Sequence, residues 1–217
     1  MIYEPYQKEV SIPVGEVILQ GELIIPQEAE AIVIFSHGSG SSRFSVRNRM
    51  VATHLQKENF GTLLFDLLTG EEDEEYNNRF NIDLLTQRLA GATLWLEELA
   101  VAKDRHIGYF GASTGAASAL KAAALLPQIG AVVSRGGRPD LAMDSLRMVK
   151  VPTLLIVGGL DRDVLELNKE AFTQLGGEKK LEVVGGASHL FEESGKMEIV
   201  SALAANWFEK YLVPVKA

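Results

Sequence analysis

The chain contains no cysteine. That excludes a disulfide framework, a thiolate metal site and a cysteine nucleophile. It has 4 histidines, and none lies in an H-E-x-x-H spacing, so the sequence carries no zinc-hydrolase motif. It also lacks a G-x-x-x-x-G-K-[ST] run, the phosphate cradle of many nucleotide binders. No cofactor is expected. Basic charge is in deficit, with 21 Lys and Arg against 29 Asp and Glu and a net charge of −8. A general nucleic-acid binder usually needs a basic surface, so that class is disfavoured. No apolar run approaches the ~20 residues of a membrane span. The stretch Met1 to Pro5 has no basic region leading into an apolar one, so no secretory signal is visible. These absences lead us to expect a cytoplasmic protein that binds a small molecule.

What is present is a regular alternation. A length of 217 residues suits one domain, 1–217, with a sizeable core. Residues 8–14 and 16–26 read as an antiparallel pair of strands around Gly15. Short apolar runs at 31–35, 61–65, 106–110, 129–134, 152–157 and 180–184 read as buried strands. Helical patterns at 45–58, 81–100, 116–126 and 196–211 fall among them. Strand alternating with helix is the mark of a parallel sheet covered on both faces. The acidic run Glu71 to Glu75 reads as a solvated loop. No insertion is long enough for a separate lid domain, although 67–80 and 135–149 are placed to cover part of a site.

The chemistry gathers at strand ends. Gly111-Ala112-Ser113-Thr114-Gly115 joins the 106–110 strand to a helix. A serine on so tight a strand-to-helix turn is held above the sheet edge, where a substrate can reach it. Serine is a weak nucleophile and needs a base, which in turn needs an orienting carboxylate. Further along, one strand runs into Gly158-Gly159-Leu160-Asp161-Arg162-Asp163, and the next into Gly185-Gly186-Ala187-Ser188-His189. The chain order is thus serine, aspartate, histidine, each just past a strand. His189 is the expected base. His37 sits in a loop it is expected to shape, His54 lies within a helix, and His106 opens a strand. Asp161 and Asp163 compete as the acid, with Glu166 a distant third. Asp161 is preferred because it follows the strand directly, whereas Asp163 suits the N-cap of a helix starting near Val164. The oxyanion donors are expected to be the N–H of Thr114 and that of Ser39, with Gly40 the alternative, in Ser36-His37-Gly38-Ser39-Gly40.

These residues resemble the α/β-hydrolase superfamily, and within it the dienelactone-hydrolase-like group of small, lidless enzymes. The resemblance covers about residues 8 to 212. It implies Ser113 as nucleophile, Asp161 as acid and His189 as base. True dienelactone hydrolases use a cysteine nucleophile and carry a glutamate in the loop that here reads His-Gly-Ser-Gly. The dienelactone substrate is therefore not carried over, and the motifs look more like those of general carboxylesterases. The segment Ser134 to Asp140 looks like one in a bacterial branch whose members can be fused to phosphoribosyltransferase domains.

Arg135 and Arg138 follow one strand, and Arg43, Arg47 and Arg49 follow the His-Gly loop. All should lie on the Ser113 side. Guanidinium groups there are candidates to bind an anionic substrate, foremost Arg135 and Arg138, unless they are consumed by Asp140, Asp66 or the acidic run. The expected function is cleavage of a small carboxylic ester or thioester through an acyl-enzyme on Ser113. The alternative is a non-catalytic ligand- or partner-binding member of the same fold. A binding module has no need of serine, aspartate and histidine together, which favours the enzyme.

Overall fold

The computed structural model describes residues 5–213. The first two strands, β1 (Tyr6–Val14) and β2 (Val17–Ile25), form a hairpin in register from Tyr6 opposite Ile25 to Val14 opposite Val17. The remaining strands are β3 (Ala31–Ser36), β4 (Gly61–Phe65), β5 (His106–Ala112), β6 (Ile129–Arg135), β7 (Thr153–Gly158) and β8 (Lys179–Val184). They make one 8-stranded sheet in the order β1-β2-β4-β3-β5-β6-β7-β8. The pairs β1/β2 and β2/β4 are antiparallel, and β4 through β8 run parallel.

Helices cover both faces. On one side α3 (Ile82–Glu97), α4 (Thr114–Leu125) and α5 (Arg162–Gln174) bury residues such as Leu89, Leu120 and Ala171 against Ile34, Tyr109 and Leu155. On the other, α1 (Val46–Lys57) and α6 (Lys196–Leu212) bury Leu55, Val200 and Phe208 against Val33, Phe110 and Ile156. This explains why β3, β4 and β7 are apolar without alternation: every residue in them is buried. Each large aliphatic side chain removed from water this way contributes about 1.5–3 kcal/mol.

Two local expectations are corrected. The acidic run is not a loop: Gly70–Glu74 forms a short helix, α2. Thr69 caps it, accepting from the Glu72 N–H at 3.1 Å, while Glu72 accepts from the Thr69 N–H at 2.9 Å. Carboxylates crowded into a first turn are stabilised by the positive helix end. Asp73 takes both forks of Arg79, at 2.9 and 2.8 Å, and Glu72 pairs with Arg88, while Glu71, Glu74 and Glu75 remain exposed to solvent. Asp163 is not the cap of α5 but its second residue; the N-cap position belongs to Asp161.

Candidate active site

Parallel strands bring their C-terminal ends to one edge, and the loops leaving β3, β5, β6, β7 and β8 meet there. Ser113 lies between β5 and α4 with φ 52° and ψ −122°, a positive-φ conformation that costs a non-glycine residue about 1–3 kcal/mol. Its neighbours hold it there. The Ser113 N–H donates to the Arg135 carbonyl at 3.3 Å, and the Ser113 carbonyl accepts from the N–H groups of Ala116 and Arg138, each at 3.1 Å. Gly115 is demanded by packing: a Cβ there would stand 2.2 Å from the Ser36 carbonyl oxygen and 2.4 Å from that of His37. At Gly38 a Cβ would meet that of Ser113 at 3.0 Å, so the loop after β3 touches the serine.

The histidine and aspartate come from loops stitched together. Gly159 donates to the Val184 carbonyl and Leu160 to that of Ala187, both at 2.9 Å. A Cβ at Gly158 would lie 2.4 Å from the carbonyl oxygens of Ala187 and Ser188, so only glycine lets β7 and the loop after β8 approach so closely. The result is a hydrogen bond of 2.6 Å between His189 Nδ1 and Asp161 Oδ2. A carboxylate only accepts, so Nδ1 carries the proton and Nε2 is left with a free lone pair. Asp161 makes no capping bond to α5 although it occupies the cap position; its carboxylate is turned to the histidine instead. Its side chain is 15% exposed and that of His189 37%. Asp163 and Glu166 are exposed on α5, and Glu166 pairs with Lys169 at 2.7 Å.

Ser113 and His189 both approach the Arg135-Gly136 segment. The Arg135 carbonyl holds Ser113, and a Cβ on Gly136 would lie 3.6 Å from His189 Cε1. One support was not anticipated from sequence. Glu193 accepts the Ser188 N–H with both carboxylate oxygens, each at 3.1 Å, and its pKa is lowered by its own backbone N–H and by these bonds. Nothing in the motif pattern marks it, because the glutamate follows the histidine in a loop without regular spacing.

The loop after β3 differs in detail from expectation. The Ser39 N–H donates to Thr114 Oγ1 at 2.8 Å, so this candidate oxyanion donor already has a partner. Thr114, first in α4, presents its backbone N–H at a helix N-terminus. His37 is buried. Its Nε2 accepts the Leu67 N–H and its Nδ1 donates to the Gly38 carbonyl, both at 3.0 Å, which fixes the loop as expected. Burial lowers its pKa and keeps the ring neutral.

The arginines divide. Arg138 closes its fork on Asp140 with two bonds of 2.8 Å, the pairing weighed above against a role in substrate binding. Arg43 pairs with Asp66, Arg49 with Glu22 at 2.9 Å and Arg47 with Glu192 at 3.2 Å. Arg135 has no such carboxylate among the described residues. It is 6% exposed and bonds Asn48 Oδ1 at 3.3 Å through Nη2. Burial pushes its pKa down to about 10, and the charge of Arg47 adds to this.

The model of the dienelactone hydrolase family matches residues 19–212. The chain belongs to that family. It is 52% identical to a dienelactone hydrolase from Anabaena variabilis whose crystal structure superposes with a TM-score of 0.94, covering 97% of this chain and 100% of that one. Proteins from two strains of Mycobacterium tuberculosis are 53% identical over 207 residues, or 94% of this chain. They are named provisionally as phosphoribosyl transferases, and the match covers 46% of their length. The chain thus spans about half the length of these curated relatives. Est1E from Butyrivibrio proteoclasticus, 15% identical with a TM-score of 0.80 and coverage of 93% and 98%, shares the fold. The protein is an α/β hydrolase. Among the described residues no helix is long and apolar enough to cross a membrane, and no cluster of His, Cys, Asp or Glu is grouped to hold a metal ion.

Proposed function

We propose that this hydrolase cleaves a small carboxylic ester or thioester through an acyl-enzyme on Ser113. The observation that carries the reading is the diverted cap. Asp161 forgoes the end of α5 and bonds His189 Nδ1, at the sheet edge that also carries Ser113 in its strained turn. In this reading His189 Nε2 takes the proton from Ser113 Oγ as that oxygen attacks the substrate carbonyl carbon. The oxyanion falls to the Thr114 N–H and to the Ser39 N–H, whose bond to Thr114 Oγ1 is exchanged for one to substrate. His189 then gives its proton to the leaving alkoxide or thiolate. A water, deprotonated by His189, attacks the acyl carbon and releases the acid and free Ser113.

The transferase named in the mycobacterial relatives belongs, in this reading, to the half of those proteins outside the match. The test is a fluorophosphonate probe with a panel of p-nitrophenyl esters and acyl thioesters. Wild type should label and turn over at least one ester. Ser113→Ala should do neither, with a loss in kcat of at least ~10³, the scale of removing a nucleophile. Equal labelling of the two proteins would end the proposal.

A further inference from the structure

Thr114 carries a buried hydroxyl proton with no acceptor. Its side-chain oxygen accepts the Ser39 N–H at 2.8 Å, and the residue is 3% exposed. Among the described residues nothing takes the proton in return. Threonines inside a helix commonly spend it on the carbonyl four residues back, as Thr86 does on Ile82 at 2.6 Å and Thr93 on Leu89 at 2.9 Å. Thr114 has no such carbonyl, because it opens α4 and the residues before it are strand and turn. A buried hydroxyl that cannot donate carries a desolvation cost, and in a native fold such a group points to a catalytic role or a ligand.

The position agrees with the first of these. The Thr114 N–H opens a helix of 12 residues and has no intrahelical acceptor. The Ser39 N–H stands one residue beyond Gly38, where a Cβ would lie 3.0 Å from Ser113 Cβ and 3.8 Å from Ser113 Oγ. The Thr114 hydroxyl joins the two donors: it belongs to the same residue as the first and is 2.8 Å from the second. The positive end of α4 adds to their field.

We infer that the Thr114 side chain is itself a catalytic residue, whose hydroxyl donates a hydrogen bond to the oxyanion beside the N–H groups of Thr114 and Ser39. The inference rests on the Ser113 reading above. As Ser113 Oγ bonds the carbonyl carbon, the C=O π pair moves onto the oxygen and His189 Nε2 takes the serine proton. The charged oxygen draws the Ser39 N–H from Thr114 Oγ1. The hydroxyl, relieved of that bond, turns its proton to the oxyanion and keeps it covalently throughout. When the carbonyl re-forms and the leaving group departs, the Ser39 N–H returns to Thr114 Oγ1. In the resting enzyme the hydroxyl oxygen stands in for the substrate oxygen and holds the Ser39 donor in place, as preorganised stabilisation of charge requires.

The test is steady-state hydrolysis of the p-nitrophenyl ester that wild type turns over fastest, with kcat and KM read separately. Thr114→Val keeps the shape and removes the hydroxyl. It should lower kcat about 10²-fold, the scale of losing one oxyanion donor, and leave KM within about threefold, because the bond is made only in the transition state. Thr114→Ser restores a hydroxyl and should bring kcat back to within about fivefold of wild type. A side chain that merely pinned the Ser39 N–H would give the same pattern, and a double-mutant cycle separates the two roles. Ser41 donates to the Gly38 carbonyl at 3.1 Å and Gly40 has φ +67°, the turn pattern whose second position, here Ser39, accepts proline. Ser39→Pro therefore removes that N–H and keeps the turn. Thr114→Val added to Ser39→Pro should cost at least about a further tenfold in kcat, since the hydroxyl acts on its own account. Should Thr114→Val fail to fold, Thr114→Ala carries the same comparisons. Should Ser39→Pro fail, the crystal structure of Thr114→Val decides: lost activity with Ser39 N within about 0.5 Å of its wild-type place supports the inference, and a displaced loop overturns it. Unchanged or raised kcat in Thr114→Val, or no further loss on the Ser39→Pro background, also overturns it. Ser113→Ala is assayed alongside. A fully active Thr114→Val beside an inactive Ser113→Ala removes this inference alone, whereas a fully active Ser113→Ala removes the serine reading and this inference with it.

Discussion

Exchange of Asp161 for asparagine separates catalysis from stability more cleanly than any other change in this protein. The carboxylate sits 2.6 Å from His189 Nδ1 and makes no bond to the helix it heads. Asparagine fits the same space, but its amide can donate to Nδ1 and so favour the tautomer with the proton on Nε2. That histidine cannot accept from Ser113. The expected loss in kcat is ~10⁴, or about 5.4 kcal/mol at 1.36 kcal/mol per decade. Stability should move by no more than about 1 kcal/mol, because asparagine caps helices as well as aspartate does, no capping bond is lost, and only the charge at the α5 N-terminus goes. Asp163→Asn is the control. It removes a charge from the first turn of α5, worth about 0.3–1 kcal/mol of stability, and should leave kcat within about twofold. Steady-state hydrolysis of the best p-nitrophenyl ester, with urea melts of all three proteins, reads both quantities. The reasoning is refuted if folded Asp161→Asn keeps more than about a tenth of wild-type kcat, or if Asp163→Asn suffers the larger loss.

Gly115→Ala should destabilise by about 2 kcal/mol or more in urea melts, because its Cβ would be driven into two backbone carbonyls that cannot yield. Gly40→Ala, where a Cβ meets open space but φ is +67°, should cost only about 1–2 kcal/mol; the opposite ranking would show that α4 can shift away from β3. His37 has a folded pKa below its unfolded value of 6.5, so the unfolded chain binds the extra proton. Its contribution is complete above pH 6.5 and is lost as pH falls toward the folded value. The difference in urea midpoint between wild type and His37→Gln should therefore narrow on acidification through that window, and a constant difference would count against the neutral, buried ring. Arg138→Ala should change stability by no more than a few tenths of a kcal/mol in urea melts, given a partly exposed ion pair.

The mostly parallel sheet, its N-terminal hairpin and the two buried faces were legible because continuous apolar runs such as Ala31–Phe35 and Thr153–Val157 leave little else to be, whereas the order of the strands within the sheet was not. The grouping of Ser113, Asp161 and His189 at one edge followed from the same rule, since each stands just past a parallel strand. The limits lay where short-range pattern meets long-range pairing. Asp161 was read as free of helix duties and Asp163 as the cap; the cap position is Asp161, and only the bond to His189 reveals that its side chain is otherwise engaged. The short helix in the acidic run was missed because what supports it lies outside the run, in the cap at Thr69 and in Arg79 and Arg88, which stand 6 residues and 16 residues from the carboxylates they bind. Arg135 and Arg138 are indistinguishable in sequence, yet one is buried without a carboxylate and the other closes on its neighbour Asp140. The fate of each arginine depends on partners as distant as Glu192 from Arg47, 145 residues apart, which no local spacing encodes.

Among the described residues the sheet has two outer strands with a neighbour on one side, β1 and β8. Open strand edges invite a neighbouring molecule to continue the ladder, and repetition of that step makes fibres. The chain guards both ends. On β8 the run Lys179-Lys180-Leu181-Glu182 sets charge along the border, with Lys180 and Glu182 paired at 2.7 Å. On β1, exposed Lys8 and Glu9 do the same, and Pro13 withholds a backbone donor where a strand would dock. Charge and proline along these two borders make them poor templates for a second copy of the sheet, so stacking of one copy on another, strand to strand, is disfavoured.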